Sequence, residues 1–132
     1  MSFLVDTDTC SAYVKGVRTV VNRFSQYGGR LYMSVVTLGE LLTWALRAKA
    51  PPRRLQDVED LANQVAVLDI TPDVARKFGE VRATLLDAGT PAPDMDLLNA
   101  STALVHNLIV VTQNTRDYAN IPGLHLDDWL VP

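Results

Sequence analysis

One cysteine, Cys10, among 132 residues excludes a disulfide within the chain. A domain of this length buries enough apolar surface to stand without one, and the absence fits a reducing compartment. Cys10 is expected to be a small buried side chain. A catalytic thiol would need a base, and only His106 and His125 are present to act as one. With so few cysteines and histidines, no segment has the ligand spacing of a zinc site. Both histidines are therefore read as structural. The glycines form neither a Walker-type nor a dinucleotide-binding motif. No run approaches the roughly 20 apolar residues that span a bilayer. The opening Met1–Asp6 lacks a basic region ahead of a long apolar core, so it does not read as a signal peptide. A soluble cytoplasmic protein with no membrane partner is expected. Lysine is scarce as well, and none follows Lys77. The net charge of −3 excludes a bulk polyanion binder of the basic-tail kind.

What is present is an alternation of short apolar runs with helical periodicity, which argues for an α/β domain with a parallel sheet covered by helices. Ser2–Asp6, Leu31–Met33, Val67–Ile70 and Leu108–Val111 read as strands, with a last short strand near His125–Leu126. Helices are expected over Cys10–Tyr13 (capped by Asp8 or Thr9), Val17–Tyr27, Val35–Ala48, Arg54–Gln64, from Thr71 or Asp73 to Leu86, and over Met95–His106 (capped by Asp94). No repeat, low-complexity tract or linker interrupts residues 1–132, so one domain is expected. Positive charge is local: Arg47, Lys49, Arg53 and Arg54 flank Pro51-Pro52, and Arg18, Arg23 and Arg30 form a looser group. Each group reads either as solvated surface or as a track for a phosphate backbone.

Acids mark the ends of these elements. Asp6 closes the first apolar run, Glu40 lies within Thr37-Leu38-Gly39-Glu40-Leu41-Leu42, and Asp96 opens Asp96-Leu97-Leu98-Asn99-Ala100. Sites in open parallel sheets form at the carboxyl ends of strands, which is the topological reason to expect these acids to meet. Two carboxylates about 4 Å apart repel by roughly 4 kcal/mol at an effective dielectric near 20. A hard divalent cation relieves that repulsion. Glu40 has a local rival role, because Thr37-x-x-Glu40 matches a capping box. Ser34 is a competing cap that would place Glu40 deeper in its helix. Asp94 is the better cap of its pair and leaves Asp96 free. Asn114 follows the fourth strand and offers a neutral oxygen. Asp117 either assists the site, caps locally or pairs with Arg116.

In this order, the segments Leu4-Val5-Asp6-Thr7-Asp8-Thr9-Cys10, Ser34–Leu41, Asp96–Ala100 and Val110–Tyr118, with Ile121-Pro122-Gly123-Leu124 and Asp128-Trp129, resemble the PIN-domain family. Within it they are similar to the VapC-type toxins of bacterial and archaeal toxin–antitoxin modules. The resemblance covers nearly the whole chain. It implies a single PIN-like domain, with a central, mostly parallel sheet of four to five strands flanked by helices. It also implies an endoribonuclease dependent on Mg²⁺ or Mn²⁺, with Asp6, Glu40 and Asp96 as catalytic, metal-binding acids and Asn114 and Asp117 in support. The metal would activate water for in-line attack on an RNA phosphate. Expected partners are the RNA substrate, a cognate antitoxin and a second copy in a homodimer. Two positions depart from the wider family: Asp8 stands where asparagine is frequent, and Asn114 stands where a fourth acid is expected. A second metal would therefore need Asp8 or Asp117.

Other readings fit less well. Asp6-Thr7-Asp8 and Thr112 mimic a haloacid-dehalogenase-type phosphatase, but that chemistry needs a lysine after the threonine. A phosphorylation receiver domain lacks its lysine here for the same reason. A catalytically silent PIN-like module that binds RNA or protein would have no need of three retained acids.

Overall fold

The computed structural model describes all 132 residues, Met1–Pro132. Five short strands, β1 (Phe3–Val5), β2 (Leu31–Ser34), β3 (Ala66–Leu68), β4 (Ile109–Val111) and β5 (Leu126–Asp127), form one sheet in the order β3-β2-β1-β4-β5. Every neighbouring pair is parallel, so the sheet is wholly rather than mostly parallel. A parallel sheet must be covered on both faces, and its strands then read as unbroken apolar runs. Side chains alternate across the pleat. Phe3, Val5, Met33 and Val111 face one apolar cluster, while Leu4 and Val110 face the other.

The first cluster is closed by α1 (Thr7–Val14), α2 (Arg18–Gln26), α3 (Val35–Leu46) and α4 (Arg54–Gln64). Trp129, near the C-terminus, is buried there against Phe3, Phe24 and Tyr27. The second is closed by α5 (Pro72–Asp87) and α6 (Asp94–His106), with Tyr118 and Ile121 from the following segment. A four-residue helix, α7 (Thr115–Tyr118), follows β4. No helix is long and apolar enough to cross a membrane.

Several boundaries differ from the sequence reading, and each difference has a local cause. Helix α1 starts at Thr7, because Asp6 is its N-cap and accepts a hydrogen bond from the Thr9 N–H at 2.9 Å; neither Asp8 nor Thr9 is the cap. Ser34 caps α3, which removes the capping box and places Glu40 in the second turn. Helix α6 begins at Asp94 itself, with Pro93 in the cap position, so Asp94 is a first-turn residue and not a cap. Strand β3 ends at Leu68, and residues 69–70 lead to the Thr71 cap of α5. Asn107 ends α6 in the left-handed region at φ 56°, a conformation asparagine tolerates better than most residues.

Candidate active site

The strand order reverses direction at β1: β2 and β3 lie on one side of it, β4 and β5 on the other. A crevice opens at the carboxyl ends of strands at such a point, and Asp6 sits there as the residue after β1. The local sequence holds it firmly. Its Oδ1 accepts the Thr9 N–H at 2.9 Å, and the Thr112 hydroxyl, from the end of β4, donates to the same carboxylate. Thr112 is itself fixed, since its Oγ1 accepts the Asn114 N–H at 2.9 Å. Burial pushes the Asp6 carboxyl above its usual range, and these hydrogen bonds oppose the shift.

Glu40 enters from the neighbouring strand's helix. It is exposed on α3, and the Thr7 hydroxyl donates to its Oε1 at 2.6 Å. Thr7 thus links the first turn of α1 to the second turn of α3 beside Asp6. Asp96 enters from α6, in the turn where negative charge suits the helix dipole. It is half-buried, and its pKa is pushed up to about 6. Burial is the largest cause; the charges of Asp117, Asp6 and Glu40 add to it, while the Tyr118 hydroxyl, donating to Oδ1 at 3.4 Å, opposes it. The carboxylates of four separate elements therefore act on one space. As their side chains stand, no three carboxylate, imidazole or thiol groups close around a point as a metal cage.

Asn114 reaches this rim too, and its Nδ2 donates to Asp8 Oδ2 at 3.4 Å. Asp117 is exposed on α7 and faces Asp96 electrostatically. It makes no ion pair with Arg116, because the pairs in the structure are Arg53–Asp57, Arg76–Asp73, Lys77–Glu80 and Arg82–Asp94. Asp94 pairs with Arg82 of α5 at 3.6 Å. Cys10 is buried with its thiol toward the Val5 carbonyl, and burial together with Asp6 holds it far from ionisation. His106 ends α6 and His125 precedes β5, both exposed and at the opposite edge of the sheet from Asp6.

Beneath the acids lies a polar layer that motif reading did not single out. The Ser34 hydroxyl donates to Asn99 Oδ1, Asn99 Nδ2 donates to Thr37 Oγ1 at 3.4 Å, and the Thr37 N–H donates to Ser34 Oγ at 3.2 Å. All three residues are buried, and no buried side-chain polar atom in the chain lacks a partner. Tyr118, also buried, keeps its proton because burial and Asp96 both push its pKa upward. Its hydroxyl donates to Asp96 Oδ1 at 3.4 Å and accepts from the Asn99 side chain. The signal for this layer was Asn99, a polar residue one turn after Asp96 on the core-facing side of its helix.

A family model described as the PIN domain matches residues 3–124. Over 130 residues the chain is 35% identical to the "tRNA(fMet)-specific endonuclease VapC" of Salmonella typhimurium, covering 98% of each protein. The chain belongs to the PIN-domain family, in its VapC branch. It is also 27% identical over 131 residues to "Ribonuclease VapC2" of Haemophilus influenzae, across 98% of this chain and 99% of that one. Among solved structures, this PIN domain superposes on the DNA-bound VapBC of Salmonella typhimurium with a TM-score of 0.91, at 35% identity and 98% of each chain. The VapBC-1 structure from nontypeable Haemophilus influenzae gives 0.85 at 26% identity, again over 98% of each chain.

Proposed function

We propose that this PIN domain is a divalent-cation-dependent endoribonuclease, the toxin half of a toxin–antitoxin pair. The carrying observation is Asp96, whose pKa is pushed up to about 6 by burial first and then by the charges of Asp117, Asp6 and Glu40. A hard divalent cation is the usual relief for carboxylates gathered in this way. The donor set fits one: oxygen ligands alone, with room for water, suit Mg²⁺ or Mn²⁺, and Mg²⁺ typically takes only one or two protein carboxylates. Asp6 and Asp96 would hold the ion, and Glu40 would hold it or orient the attacking water. When bound, such an ion acidifies water and offsets the negative charge that builds on the phosphate.

The remaining work falls to the chain. Thr9 and Thr112 keep the Asp6 carboxylate in one orientation. Thr7 does the same for Glu40, and Tyr118 for Asp96. Asn114 and Asp8 supply polar oxygen at the edge, where Asp117 adds charge. The names of the relatives point to RNA, with initiator tRNA the first substrate to test. The VapBC complexes among the structural relatives support an antitoxin partner. Leu86 and Met95, exposed at the ends of α5 and α6, offer apolar surface for a homodimer. The toxin would act in the cytoplasm, where the tRNA pool resides.

The test is to incubate purified protein with total cellular RNA in Mg²⁺, in Mn²⁺ and in EDTA, beside Asp6→Asn and Asp96→Asn variants. Discrete fragments that need the metal and disappear in both variants are expected. Intact RNA with the folded wild type in either metal would sink the proposal.

A further inference from the structure

The basic residues around Pro51-Pro52 have no part in the acidic site, yet the fold ties them to it. Helix α3 carries Glu40 and Trp44 four residues apart on one face, and Arg47 follows directly as its extended C-cap. At 1.5 Å per residue, Trp44 stands about 6 Å beyond Glu40 along the helix. Trp44 is half-buried and carries two cations. The Arg54 guanidinium, from the start of α4, lies 3.9 Å from the indole centroid, and the Lys15 ammonium, from the end of α1, lies 5.5 Å from it. Arg53 is occupied by Asp57, whereas Lys15, Arg47, Lys49 and Arg54 have no carboxylate partner.

Two cations at one ring, with two more on the adjoining turn, repel one another. A solvated surface would disperse them or pair them, especially in a chain of net charge −3. Stacking on the indole holds the Arg54 fork in place while its edge donors remain free, as phosphate recognition requires. A polyanionic substrate meeting an acidic site also needs attraction from elsewhere on the protein.

From this arrangement we infer that the ledge of Lys15, Trp44, Arg47, Lys49 and Arg54 is a second contact for the RNA substrate. It grips the phosphate backbone of the strand that passes Glu40. The inference rests on the nuclease reading for its substrate, but it concerns binding and not bond cleavage. The ledge sets how tightly a long RNA is held and leaves the cutting step untouched.

The experiment compares the wild-type chain with an Arg47→Glu/Lys49→Glu double variant and, separately, with Arg54→Gln. All these side chains lie on the surface, and equal thermal midpoints would confirm intact folds. The probes are bulk tRNA and a short single-stranded oligoribonucleotide spanning the mapped cut site. For the double variant, KM and Kd for tRNA should rise about tenfold and the salt dependence of binding should become shallower by about 0.7–0.9 per lost phosphate contact. Its kcat should stay within about twofold, and cleavage of the short probe should not change. Unchanged tRNA binding in both variants overturns the inference. So does unchanged tRNA binding with weakened binding of the co-expressed antitoxin, which would assign the ledge to that protein. A wild type that binds tRNA through the ledge but cuts nothing would retain the inference and overturn the nuclease reading instead.

Discussion

Asp96 is the residue whose ionisation says most about the site. Its folded pKa of about 6 lies above the 3.8 of a free aspartate. Between those values the folded state binds more protons than the unfolded one, so stability falls as pH rises through roughly 4 to 6 and stays lowered above it. Two units correspond to almost 3 kcal/mol at most, and the side chain's partial exposure reduces this to about 1–2 kcal/mol. Asp96→Asn should therefore raise the Tm of metal-free protein by several degrees at pH 7.5 and by almost nothing at pH 4, measured by calorimetry. Added Mg²⁺ should stabilise the wild type, by linkage, much more than this variant. Tyr118→Phe removes the hydroxyl that restrains Asp96, so the carboxyl should titrate higher. The acid limb of cleavage should then move to higher pH, as read from a pH–rate profile. Asp96 was legible as a candidate because it opens a helix after a proline-rich loop. Tyr118 was not, because a single aromatic after a loop carries no spacing that separates a core ring from a hydrogen-bond donor.

At the scale of the element, the caps decide where each acid points. Asp6 both ends β1 and caps α1, so Asp6→Ala removes a helix cap, at a cost of about 1 kcal/mol, together with the candidate ligand. Asp6→Asn keeps the capping oxygen. It should abolish cleavage by a factor of at least about 100 while leaving the urea midpoint nearly unchanged. If the two variants prove equally destabilised, the capping role assigned to Asp6 is wrong. Sequence offered several cap candidates for α1 and α3, and local pattern does not rank them. The choice falls where the strand stops, and that is set by pairing of Phe3 with Leu31 and Ile109 across the sheet. Helix α7, with four residues, is barely one turn and shows no repeat of the helical period, so the sequence does not reveal it, whereas β5 lies close to the short strand expected near His125–Leu126. The longer amphipathic helices α4 and α5 show the helical period and the strands β1 and β4 are unbroken apolar runs, so the sequence places all four to within a few residues.

Over the whole molecule, one ring fastens the C-terminus to the start of the sheet. Trp129 stacks with Tyr27 and meets Phe3 and Phe24 edge-on, and its N–H donates to Asp127 at 3.1 Å. Trp129→Ala should cost about 3–5 kcal/mol. Chemical denaturation would show it as a lower midpoint at a similar slope. Only a loss below about 1 kcal/mol would show that the segment is dispensable to the core. The meeting of Asp6, Glu40 and Asp96 also belongs to this scale. Their separations along the chain say nothing of their distance in space. The rule that parallel sheets gather sites at strand ends made their convergence legible, and the family resemblance named the same residues. The buried Ser34–Thr37–Asn99 layer obeyed no such rule, because hydrogen bonds between distant residues follow from packing.

Strand β1 is made first but gains its second neighbour late. It pairs with β2, close behind it in the chain, and with β4, which begins at Ile109. A ribosome that has polymerised residues 1–105 has already supplied Asp6, Glu40 and Asp96. It has not yet supplied β4, or the Thr112 that orients Asp6 from its end. The order of translation thus separates making the acids from gathering them: a polypeptide stopped at that point carries all three but lacks the strand and the hydroxyl that set Asp6.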